Sequence, residues 1–273
     1  MPDRSQHSKK WKGGGKGGKW QKQTKMSTIE HGDVGVFVTC DMGKEKKCLN
    51  EAIDLFSQFT EGTTEEEQED EQDTDDEDIE AQIQRELEGL QPNKDKPRQF
   101  RPVQLEMPCV TFVRLDPSIE PVQLVHRICS EAYANPEVKK SRYIQRMHPV
   151  TKIEKTLRVD LEAFAKEILK PYFHSGGPPK TYAIRPSVRG NAKFNRDIVI
   201  KTVADAVGPE HPVNLKDYDY MILVDVAHNV IGMSVVGRDY DQLKRFNLAE
   251  IYNPSPKGGA TTPSTKKPKS EGQ

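Results

Sequence analysis

Between residues 61 and 88 nearly every residue is Glu, Asp, Gln or Thr, and Glu65-Glu66-Glu67-Gln68-Glu69-Asp70-Glu71 is the densest part. Like charges at this density repel and hold a chain solvated, so no core can run through it. A calcium loop would need acidic ligands at alternate positions and a glycine at its sharp turn. The run lacks that glycine, and no metal site is read from it.

Ahead of the run, residues 34–40 are a short β-rich stretch and Asp41-Met42-Gly43 turns the chain into a helix over 44–59. There Cys48, Leu49, Ala52, Ile53, Leu55, Phe56 and Phe59 recur at helical spacing and make one apolar face. Behind the run, the pattern predicts strands at 100–107 and 109–115, a helix that opens over 117–121 and runs to about 134, and a strand at 142–147. The order β-α-β-β-α-β is the ferredoxin-like arrangement. The acidic run (61–97 with its flank) then occupies the loop after the first helix, where extra length costs little. This unit takes residues 32–152.

A second unit, 153–252, begins with a helix at 158–173 whose stripe is Leu161, Phe164, Ala165, Ile168, Leu169 and Tyr172. A strand at 180–186, a polar loop and a helix at 195–207 follow. Two β-rich runs, 218–227 and 230–236, close the unit around a His228-Asn229 turn. The fold class is α/β (α+β), two units between tails read as disordered at 1–31 and 253–273. The first tail is rich in Gly and Lys with Trp11 and Trp20, which suits either nucleic-acid stacking or a solubilising or nuclear-targeting role. Four cysteines lie scattered in or beside apolar runs, as buried reduced thiols do. No apolar run approaches the ~18 residues of a membrane span, so an intracellular protein with no membrane partner is expected.

The formal net charge of -1 averages segments of opposite sign. From residue 101 to 201 there are 18 Lys and Arg against 10 Asp and Glu. An excess of this kind matches a nucleic-acid backbone footprint, although many ordinary domains show one. Placement sharpens it. Arg185, Arg189, Lys193 and Arg196 fall in a strand-to-helix loop ending at a candidate N-cap, Asn195, where free N–H groups and the helix dipole favour phosphate. Arg185 alternates with Tyr182 and Ile184 and should point away from them, and Gly190 permits a close backbone approach. A second cationic set is Arg142, Arg146 and Lys152, with Arg142 and Arg146 on one side of the predicted fourth strand. His148 has no carboxylate partner identifiable by spacing and reads as structural.

Enzyme signatures are absent: no G-x-G-x-x-G, no phosphate-binding lysine loop, no G-x-S-x-G and no zinc-deaminase pattern. Asn253-Pro254-Ser255-Pro256 lacks the aromatic of the amino-methyltransferase motif it partly matches. No catalytic residue, cofactor, metal or small-molecule substrate is expected, with an RNA-modifying enzyme of undetected active site and a ribosome-assembly or RNA-processing scaffold as the alternative readings.

The stretch from Tyr182 to Val207, followed by Asn214-Leu215-Lys216-Asp217-Tyr218-Asp219-Tyr220 and Ile222-Leu223-Val224-Asp225-Val226, resembles a THUMP domain, and the unit before it resembles that domain's usual ferredoxin-like partner. Gly35-Val36-Phe37-Val38-Thr39-Cys40-Asp41-Met42, Lys47-Cys48, the acidic insertion, Ser234-Val235-Val236 and Lys244-Arg245-Phe246-Asn247-Leu248 are similar to the stand-alone eukaryotic THUMP adaptors of tRNA cytidine acetylation. The resemblance spans about residues 34–252. It implies a non-catalytic protein that binds tRNA and helps an RNA cytidine acetyltransferase form N4-acetylcytidine in the D-arm of serine and leucine tRNAs. Acetyl-CoA and ATP would belong to that partner. A nuclear, chiefly nucleolar, location is expected, with the cytoplasm open; Lys266-Lys267-Pro268-Lys269 is a weak import signal.

Overall fold

The computed structural model describes residues 28–61, 99–103, 105 and 107–254. The acidic run, most of the N-terminal tail and residues 255–273 lie outside the described residues, and so do the expectations made for them.

The first unit runs β1 (Gly35–Thr39), α1 (Glu45–Glu61), β2 (Phe100–Val103), β3 (Val110–Leu115), α2 (Pro121–Ala134) and β4 (Arg146–Val150). Its strands form an antiparallel sheet in the order β2-β3-β1-β4, the ferredoxin-like topology. The apolar faces of α1 and α2 cover one side, where Val36, Val38, Val113, Leu115 and Met147 meet Phe56, Val125 and Ile128. β2 runs to Val103, short of the expected Met107, and Met107 packs with Val103, Phe37, Phe112 and Val150 in the cluster on the other side of the sheet. Ile29, assigned from sequence to the disordered tail, is buried in that same cluster, and Gly32 N–H donates to the Ile153 carbonyl.

The expected strand at 142–147 is displaced to Arg146–Val150. The cause is Glu51 on α1, whose Oε1 accepts from the N–H groups of Arg142, Tyr143 and Ile144 at 2.9–3.1 Å and from Ser141 Oγ at 2.7 Å. Those donors are spent on a carboxylate, so this stretch joins no ladder. Glu51→Ala strands several of them at once and should cost about 2–3 kcal/mol in urea unfolding. Glu51→Gln, which keeps one acceptor oxygen, should cost less.

The second sheet contains β5 (Lys152–Lys155), β6 (Tyr182–Arg189), β7 (Tyr220–Ala227) and β8 (Val230–Gly237) in the order β5-β8-β7-β6. Only β6 and β7 are parallel, joined through α4 (Arg196–Val207). α3 (Leu161–Phe173) starts on an N-cap Asp160 that accepts from the N–H groups of Glu162 and Ala163. Together α3 and α4 cover Tyr182, Ile222, Val224 and Val226. One residue, Thr151, separates β4 in the first sheet from β5 in the second.

After β8 the chain returns to the first unit through a short 3-10 turn, Lys244–Phe246, and α5 (Leu248–Tyr252). Lys244, Arg245 and Phe246 all take positive φ, 53°, 60° and 56°. Three such residues in a row are unfavourable for L-amino acids and are held by tertiary packing. Phe246 is buried against Tyr240 with ring centroids 5.0 Å apart, and Asn247 bridges to Arg146. The returning strap thus carries one apolar cluster from α2 across to Met221, Leu223 and Val236 of the second sheet.

Candidate nucleic-acid interface

Strand alternation decides which side chains meet between the two sheets. On β4, Arg146 and His148 point with Val150 away from the helices of the first unit. On β6, Ala183, Arg185, Ser187 and Arg189 point away from α3 and α4, opposite Ile184 and Val188, which pack on that helical layer. The two faces enclose a groove of about 580 Å³ lined by Arg146, His148, Arg185, Ser187, Arg189, Asp225 and Tyr240, with Arg196 and Leu215 also on its wall. An adjoining groove of about 560 Å³ shares Arg146, His148 and Arg189 and continues past Gln145, Asn247, His228 and Cys109.

Each arginine is placed differently. Arg189 and Arg196 are exposed. Arg185 is half-buried, its guanidinium 5.7 Å over the Tyr240 ring and 4.0 Å from Asp241 Oδ1. Burial pushes the Tyr240 phenol up to about 12, so it remains neutral beside the cations. Burial also acts to raise the Asp241 carboxyl, but hydrogen bonds from Arg245 and Tyr218 and the charges of Arg245 and Arg185 outweigh it and hold the group below its usual value. Arg185 therefore faces the groove with half its charge answered by protein. Arg146 Nε is buried and has no hydrogen-bond partner.

At the floor, His148 Nδ1 lies 3.3 Å from Asp225 Oδ1, and both residues are buried. His148 has a carboxylate partner after all, 77 positions along the chain on β7. Sequence spacing had no means of finding it. The available signal was Asp225 itself, a lone charge inside Ile222-Leu223-Val224-Asp225-Val226. Tyr240 was also missed.

Of the seven cations singled out from sequence, the structure brings Arg146, Arg185, Arg189 and Arg196 to one groove. Arg185 and Arg189 belong to β6 and not to a loop; the loop is confined to residues 190–195. Pro186 is tolerated because β6 is the edge strand of its sheet. Gly190, with φ of 60°, is covered by His228, whose Cε1 would lie 3.1 Å from a Cβ there. Asn195 caps α4 as expected, accepting from Ile198 N–H at 2.8 Å. Lys193 lines neither groove, and its Nζ donates to the Thr156 carbonyl at 2.7 Å. Arg142 shares no strand with Arg146; it lies 5.6 Å over the Tyr143 ring beside Lys139, Lys140 and Glu51. Lys152 is paired with Glu167 of α3 at 2.7 Å. All four cysteines are free, and Cys109 is only half-buried where the others are buried.

The THUMP domain family model matches residues 159–236, from just before α3 to the end of β8. An uncharacterised protein of Schizosaccharomyces pombe is 35% identical over 231 residues, which cover 84% of this chain and 79% of that one. THUMP domain-containing protein 1 of Homo sapiens is 31% identical over 241 residues, covering 84% of this chain and 66% of the human protein. The chain belongs to the THUMP domain-containing protein 1 family. A further relative, tRNA acetyltransferase TAN1 of Saccharomyces cerevisiae, is 28% identical over 265 residues, 85% of this chain and 90% of the yeast protein. In this THUMP family member the groove straddles the edge of the matched domain. Arg185, Arg189 and Arg196 lie inside the match, whereas Arg146 and His148 come from the ferredoxin-like unit. Among the described residues, no helix is long and apolar enough to cross a membrane.

Proposed function

We propose that the protein is a non-catalytic adaptor that holds tRNA in the arginine groove and presents it to an RNA cytidine acetyltransferase. The product would be N4-acetylcytidine in the D-arm of serine and leucine tRNAs. The observation that carries this reading is the convergence of Arg146, Arg185, Arg189 and Arg196, from both units, on one groove. Guanidinium groups on two facing walls suit a phosphate backbone passing between them, and folded RNA is recognised chiefly through phosphates, shape and 2′-hydroxyls. The similarity to a relative named tRNA acetyltransferase supports the pathway. The same reading puts the protein in the nucleus, with the nucleolus favoured.

Nucleoside mass spectrometry of cells lacking the protein tests the adaptor role. Acetylcytidine should vanish from tRNA and persist in ribosomal RNA, because the acetyltransferase itself stays intact. Unchanged tRNA acetylcytidine would leave an RNA-binding protein of another pathway. The yeast relative's name favours a second reading, in which the chain itself transfers the acetyl group. Acetylation of tRNA by the purified chain with acetyl-CoA and ATP would establish that alternative.

A further inference from the structure

We infer that His148 and Arg146 read a ribose 2′-hydroxyl, so that the groove selects RNA over a backbone without that group. The inference rests on the groove being the nucleic-acid site. Its own ground is a pair of orphaned atoms. Arg146 Nε and His148 Nε2 are buried without a hydrogen-bond partner, and the two residues stand two apart on one face of β4, lining both grooves. Folded proteins seldom leave such groups unanswered, and two side by side in a cationic groove call for a ligand.

The chemistry of that ligand follows from the protons. Asp225 Oδ1, 3.3 Å from His148 Nδ1, can only accept, so it favours the ring tautomer with its hydrogen on Nδ1. Nε2 then presents a lone pair and requires a donor, whereas Arg146 Nε carries a hydrogen and requires an acceptor. A phosphate oxygen or a base carbonyl answers Arg146 but has no proton for His148. A hydroxyl answers both through one oxygen. On a nucleic-acid backbone the 2′-hydroxyl is that group, and it is what distinguishes RNA from DNA. Arg185 and Arg189 on the facing wall are left for the flanking phosphates.

The test uses the full chain and fluorescence anisotropy with three probes: an RNA hairpin with an unpaired tail, the same RNA 2′-O-methylated throughout, and the same sequence in DNA. Methylation removes the donor and keeps the backbone charge. The native protein should prefer the unmodified RNA over both other probes by about tenfold, the scale of one hydrogen bond that leaves a buried group unpaired when lost. In His148→Phe, and in His148→Phe combined with Asp225→Asn to relieve the carboxylate, the preference over methylated RNA should fall to within about twofold. A native preference near one, or one that survives in both variants, overturns the 2′-hydroxyl reading and leaves the groove assignment standing. If Arg189→Glu with Arg196→Glu binds every probe as the native chain does, the groove assignment falls and this inference with it.

Discussion

Arg189→Glu combined with Arg196→Glu should weaken tRNA binding by about a hundredfold at physiological salt and lower the slope of log affinity against log salt by roughly two. Both side chains are exposed on the groove wall, and neither has an ion-pair partner among the described residues, so their charge is open to a ligand. Each reversal would remove one proposed phosphate contact and add a repulsion. The fold should be spared, since neither side chain belongs to the buried clusters. Equal salt slopes for variant and native protein, measured by anisotropy over a salt series, would sink the placement. Lys193→Glu makes a useful contrast. Its Nζ ties the 190–195 loop to Thr156, so it should act on stability more than on the salt slope.

Gly232→Val should destabilise the chain by about 3 kcal/mol, lowering the thermal midpoint by roughly ten degrees. A Cβ at Gly232 would stand 2.5 Å from Val150 Cγ1, closer than real Cβ contacts come, and a tight 3.2 Å from Val150 Cγ2. Gly232 lies opposite Asp225 on β7 and opposite Ile153 on β5. Here the first sheet comes down onto the second, and Ser234 Oγ donates to the Pro149 carbonyl at 2.7 Å nearby. A branched side chain would wedge β4 away from β8 and pull His148 off Asp225. Protein that does fold should therefore also bind RNA less well. Gly43→Ala is the control: nothing lies within 4 Å of its added Cβ, and only its φ of 75° opposes the change, a cost of about 1 kcal/mol. A midpoint for Gly232→Val no lower than that of Gly43→Ala would refute the close approach.

The first unit was legible because α1 and α2 carry unbroken apolar stripes and because an acidic run cannot sit in a core. β5 was not legible: in Lys152-Ile153-Glu154-Lys155 only Ile153 is buried, so the strand shows no alternation longer than one residue. The strap after β8 was hidden for a different reason. Its buried residues Tyr240, Leu243, Phe246, Leu248 and Ile251 keep neither a helical nor a strand period, because a left-handed turn interrupts them. At the candidate site, side-chain parity correctly separated Arg185 from Tyr182 and Ile184, since parity is local. Glu51 holds the Arg142 stretch out of the strand of Arg146, and Asp225 meets His148, contacts that reach across 91 and 77 positions. No spacing rule reaches that far.

The single residue between β4 and β5 has a mechanical meaning. A one-residue splice on one side and the buried strap on the other clamp the two sheets at both ends of their contact. Such a jaw should hold its gauge and resist spreading around what enters it. If the groove takes RNA as proposed, the strain of accommodation falls on the nucleic acid, and a pliable stretch should be accepted where a stiff one of the same sequence is turned away.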